Sequence, residues 1–188
     1  MYLNNFIALQ HNSFGKMPEY SITTTFTEDA EDLFVDAKEK LLDVNNWKRY
    51  SGITGIEFRL TDGHGRPVKR KAHRGDHIKI NFPGQSMADE HCCVVIEAIE
   101  YDDYPDLDME AFTMRVRPCE SSMHKAEEDN DYNEAEGSLV IERRNKKIFA
   151  TYNSRNDAAG KVSNRSTENN WFGLTDAQWD SLVKGFVA

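Results

Sequence analysis

The chain has 188 residues, 39% hydrophobic and 11% aromatic, which is enough apolar content to build a core and too much for a wholly disordered protein. A mean hydropathy of -0.69 and 29% charged residues exclude a chain that spans a membrane by helices, because no run approaches the ~18 apolar residues such a helix needs. Its net charge of -9, from 32 acids against 23 bases, opposes attraction to nucleic acid or to an anionic membrane surface.

Residues 1 to 19 form an N-terminal extension without the charged-then-apolar pattern of a secretory signal. Residues 20 to 188 read as a single α+β domain. From 20 to 26, Tyr20, Ile22, Thr24 and Phe26 alternate with Ser21, Thr23 and Thr25, the period of a half-buried strand. Thr27 can cap the helix that follows. Its first turn is acidic at Glu28 and Asp29, Lys38 and Lys40 sit toward its end, and Ala30, Leu33, Phe34, Ala37 and Leu41 make one apolar stripe. A short turn carrying Trp47 and Tyr50 ends at Gly52.

Ile56, Phe58 and Leu60 then share one face of a strand that Asp62-Gly63 turns back. Residues 66 to 74 hold a proline and many bases with no dry face, the pattern of a basic edge strand protected against aggregation. Ile78, Ile80 and Phe82 resume the alternation. Residues 92 to 101 and 112 to 118 form the best strand pair, joined by an acidic loop. Residues 120 to 136 are too polar to offset the entropy of ordering, and a mobile acidic loop is expected there. A hairpin follows, with Leu139 and Ile141 before an Asn145-Lys146 turn and Ile148, Ala150 and Tyr152 after it. Thr175 and Gln178 make a capping box, Leu174 and Trp179 a hydrophobic staple, and Trp179, Leu182, Val183 and Phe186 the stripe of a final helix. Three cysteines, an odd count at no framework spacing, read as reduced thiols of a cytoplasmic protein.

This order resembles the helix-grip fold of the START-like and polyketide-cyclase-like (SRPBCC) superfamily: a strand, a helix ending near Asn46-Trp47 and Tyr50, several antiparallel strands, and a closing amphipathic helix. The resemblance spans roughly residues 20 to 187. It implies an antiparallel sheet of about seven strands curved around the C-terminal helix, with a cavity for an apolar ligand. That superfamily shares no catalytic residues, so it implies none here.

Phe58, Ile80, Met114 and Trp179 are the candidate lining of such a cavity, and the competing reading is that they fill a dry core. His64, His73, Asp76 and His77 gather metal-ligand types in one segment, but Gly75-Asp76 interrupts it and a His73/His77 spacing chelates only on a helix. In His91-Cys92-Cys93 neighbouring side chains point to opposite faces of a strand, so core cysteine is the better reading. No metal, cofactor or catalytic residue is nominated. The function expected is binding of a small apolar ligand in a cavity between sheet and last helix; an enzyme of the cyclase type would need an acid or base inside that cavity, and the sequence nominates none. The alternative is a protein-interaction module that uses the acidic loops and the basic edge strand against a protein partner. Apolar parity predicts that residues 92 to 101 and 111 to 118 pair with numbers summing to 212, with Ala98 beside Met114, Glu97 opposite Arg115 and Cys93 opposite Cys119.

Overall fold

In the computed structural model, which describes residues 19–84, 92–119, 136–155 and 173–188, the segments of period two become strands of one sheet. They are β1 (Glu19–Thr23), β2 (Glu57–Thr61), β3 (His77–Asn81), β4 (Cys92–Tyr104), β5 (Met109–Pro118), β6 (Glu136–Arg144) and β7 (Lys147–Arg155). Every pairing is antiparallel, in the order β1-β7-β6-β5-β4-β3-β2, so the first strand lies at one edge beside the last. The fold is α+β, a curled half-barrel of seven strands around a C-terminal helix; alternation and caps predict its elements, and the resemblance implies the curved sheet. The predicted N-terminal extension and acidic loop lie almost wholly outside the described residues.

Among the described residues three α-helices cover the concave face: α1 (Thr27–Leu42), α2 (Trp47–Ser51) and α3 (Asp176–Val187). The stripe of α1 is buried at Ala30, Phe34, Ala37 and Leu41. Phe26 occupies its N-cap and supplies no side-chain bond, so Thr27 is the first residue of the helix and not its cap. In α3 the capping box is complete: Gln178 N–H donates to the Thr175 hydroxyl and Thr175 N–H to the Gln178 side chain. Trp179, Leu182, Val183 and Phe186 are all buried. Gly185 lets α3 touch α2, since a Cβ there would stand 2.6 Å from the Tyr50 carbonyl oxygen.

Three expectations are corrected. Residues 66 to 74 do not form an edge strand: Thr61 bridges Pro67, Val68 N–H reaches the Leu60 carbonyl, and no further ladder follows. Proline contributes no donor, and the chain leaves the edge to cross the end of α1, where Ala72 N–H satisfies the Leu42 carbonyl at 2.8 Å. The β4–β5 register sums to 212 only through Ile96, which pairs with Val116. A bulge at Glu97 then moves Ala98 opposite Arg115 and Ile99 opposite Met114. It bends a strand of 13 residues to follow the curled sheet and switches the inward parity from even to odd numbers. Finally, the cysteines are not all reduced. Cys93 and Cys119 form a disulfide, with Cα atoms 5.4 Å apart, because the register sets them opposite and Cys119 N–H donates to the Cys93 carbonyl.

Candidate functional site

The four predicted lining residues all belong to one buried apolar cluster. Phe58 meets the edge of the Trp47 ring at 5.4 Å, and Ile80 pairs with Phe58 across β2 and β3. Met114 is fully buried near the middle of β5. Trp179 lies at the opposite side of the cluster, its indole stacked on Tyr152 of β7 with centroids 3.6 Å apart and planes 6° from parallel. The sheet therefore brings Phe58 and Ile80 together, while Trp179 makes a separate seam between α3 and the β7 side.

That seam is neutral. Burial pushes the Cys92 thiol up to about 12, and burial, with Cys92 nearby, pushes the Tyr152 phenol up as well, so both stay protonated at neutral pH. Beside it an open groove of about 300 Å³ runs between β1 and α3, lined by Glu19, Tyr20, Asp180, Ser181 and Lys184. Lys184 lies 5.6 Å over the Tyr20 ring. Asp180 and Ser181 directly follow Trp179, and Tyr20 pairs with Ala150, two residues before Tyr152. The groove is thus lined by exposed charges, Ser181 and the half-buried Tyr20, while the buried Trp179 and Tyr152 and the other predicted lining residues do not line it.

At the other end of the concave face sits a polar cluster that sequence reasoning missed. Arg143 is only 6% exposed, donating from Nε to Glu110 at 2.8 Å and from Nη1 to Asp108 at 2.6 Å. Tyr101 donates its hydroxyl to Glu110 at 2.6 Å, and the Lys38 ammonium stands 5.4 to 5.8 Å from the centroids of Phe34, Tyr101 and Phe112. Burial acts to raise Glu110, but the bonds from Tyr101 and Arg143 outweigh it and hold the carboxyl below its usual range. Each charge has a partner inside the cluster, which makes it a structural clamp across the β4–β5 and β6–β7 turns. A signal was present: Leu139, Ile141 and Arg143 share the inward parity of β6.

The histidine segment resolves into separate roles. Asp76 is buried and holds Arg70 through two bonds of 2.5 and 2.8 Å, while accepting the His73 N–H at 2.8 Å. It is a turn anchor, and His64 and His73 are exposed. His77 is half-buried on the convex face; burial first, then the charge of Lys79, lowers its pKa. His91 lies outside the described residues. Among the described residues no helix is long and apolar enough to cross a membrane.

Comparison of the chain with protein-family models, with curated proteins and with solved structures found no match.

Proposed function

We propose that this protein is a non-enzymatic binding protein for a small apolar ligand, held between the concave face and α3. The START-like architecture that its element order resembles implies the same region. The observation that carries the reading is the Trp179–Tyr152 stack beside an open groove. Both rings are buried, Trp179 at 2% and Tyr152 at 4% exposure, so a flat apolar molecule would enter by displacing packing at this uncharged seam, where it strands no charged group. The groove is open, about 300 Å³, with a mainly charged and polar lining, so on this reading it is an entrance to the seam and not itself the ligand cavity. Tyr20 supplies apolar area to that entrance, and the charges of Glu19, Asp180 and Lys184 stay at the solvent rim.

This reading is preferred to the interaction module because Arg70 and Lys71, the centre of the basic run, are paired with Asp76 and Glu39 within the chain. Titration with fatty acids, sterols and polycyclic aromatic compounds should change tryptophan emission saturably, and Trp179→Phe should remove most of the change while Trp47 and Trp171 remain. A ligand at ~100 times its dissociation constant should add about 2.7 kcal/mol and raise the melting temperature. A panel at ~100 µM that gave neither a saturable emission change nor a rise in melting temperature would reject the proposal.

A further inference from the structure

The convex face carries a cluster that the ligand-binding reading does not use. His77 of β3, Cys93 of β4 and Cys119, the residue after β5, come from three adjacent strands. His77 pairs with Val95 and Cys93 with Lys79, which sets the imidazole diagonal to the Cys93 sulfur on one face. The nearest imidazole nitrogen and both sulfurs all lie within 4.8 Å of one another. Both cysteines are 6% exposed, and His77 is half-buried.

We propose that when the Cys93–Cys119 disulfide is reduced, these three side chains bind a soft divalent cation of the zinc class, with a fourth position left for water or another ligand. Two thiolates and one imidazole are the donor types such an ion takes, and three protein ligands with one open position is a known zinc arrangement. A tetrahedral centre with bonds of about 2.3 Å to sulfur and 2.0–2.1 Å to nitrogen sets its sulfurs about 3.8 Å apart and each sulfur about 3.6 Å from the nitrogen. The imidazole already stands within that range of adjustment. The sulfurs need only separate by side-chain rotation once their bond is gone, on Cα atoms 5.4 Å apart.

The two states exclude each other, and the chemistry balances. Opening the disulfide takes two molecules of a small thiol, which are oxidised to their own disulfide while Cys93 and Cys119 each gain a hydrogen. Metal binding then releases those two protons as both thiolates coordinate. Two thiolates offset the charge of the ion. Of the cations on this face, Arg117 is paired with Glu97 at 2.5 Å, and Lys79 stands opposite Cys93 on a stem long enough to carry its charge outward.

The test is cobalt binding to the full chain under anaerobic conditions. After reduction with a phosphine, one equivalent of Co²⁺ should produce thiolate charge-transfer absorption and tetrahedral d–d bands, displaced by Zn²⁺. Neither feature should arise before reduction. Cys119→Ser should abolish the charge-transfer band, His77→Ala should weaken binding by at least the ~10–100-fold that loss of an outer-shell partner costs, and His73→Ala should change nothing. No band in the reduced protein, or one that survives in Cys119→Ser, overturns the proposal. Because Cys119→Ser could fail to fold, alkylation of the reduced parent protein supplies a second reading. Zn²⁺ should slow modification of Cys93 and Cys119, and unchanged rates would equally overturn it.

Discussion

At the α3 end of the concave face, Trp179 and Tyr152 stack and Trp47 meets Phe186 edge-on at 5.6 Å, whereas at the hairpin end Arg143 holds Glu110 and Asp108 through charged hydrogen bonds. Both ends close the same sheet. Ring packing is non-directional and scales with area removed from water, so its parts contribute nearly independently. The ionic end depends on one hub, because removing the buried Arg143 leaves the mostly buried Glu110 without its cation, whereas Asp108 and Tyr101 still reach water. An apolar end can open to admit a ligand at modest cost, while a satisfied ionic cluster resists opening. On the function proposed above, this difference favours the seam over the clamp as the binding region.

The largest effect expected is at the apolar end. Trp179, Leu182, Val183 and Phe186 each contribute ~1.5–3 kcal/mol by burial, and their sum rivals the ~5–15 kcal/mol of a whole domain. Deleting residues 175 to 188 should abolish the cooperative thermal transition seen by circular dichroism. A truncated chain that melts like the parent would make α3 an appendage and end the comparison.

Arg143→Met tests the other end. It leaves Glu110 mostly buried without its cation, at a cost of about 3 kcal/mol near neutral pH, the low end for a broken buried pair because Asp108 is partly in water. A carboxyl whose folded pKa is depressed adds stability above its unfolded value, about 4.3 for Glu, and loses it as pH falls through the folded value. Urea denaturation of the parent should therefore show a plateau above pH ~5 and a decline below pH ~4. The gap between parent and variant should narrow along that decline. A gap independent of pH would place the loss in packing and not in charge.

Gly185→Ala probes the apolar end more gently. Its Cβ would meet the Tyr50 carbonyl at 2.6 Å, and overpacking of about 1–3 kcal/mol exceeds the ~1 kcal/mol that alanine adds to a helix. The melting temperature should fall; a rise would show that α2 and α3 have room between them. Tyr101→Phe is the smallest change, about 1 kcal/mol or less, since it removes one hydrogen bond from a ring that is half-exposed. In the parent that bond to Glu110, aided by partial burial, pushes the Tyr101 phenol up to about 12, so a spectrophotometric titration should lose a late-titrating tyrosine in the variant.

Much of the fold was legible in the residues because its signals are local. Alternation marked the strands, Asn145 and Lys146 marked the β6–β7 turn, and Thr175 with Gln178 marked the start of α3, each within a few residues of the feature. Apolar parity also reached the register as far as Ile96 and the approach of Cys93 to Cys119. Parity failed at Glu97, Ala98 and Ile99, where the inward row can continue through either Ala98 or Ile99 and only the curvature of the whole sheet selects the bulge. The basic run 66 to 74 looked like a strand because its alternatives, Asp76 for Arg70 and Glu39 for Lys71, become partners only after α1 and the His73–Asp76 turn are in place. Arg143 is the same case at longer range: its partner Glu110 lies 33 residues away, so an arginine near a turn reads as solvated until β5 and β6 pair. Periodicity, caps and turns depend on neighbours along the chain, and the sequence alone determined them. Where a charge, a thiol or an imidazole finds its partner depends on which strands the sheet sets side by side, and only the tertiary structure decided that.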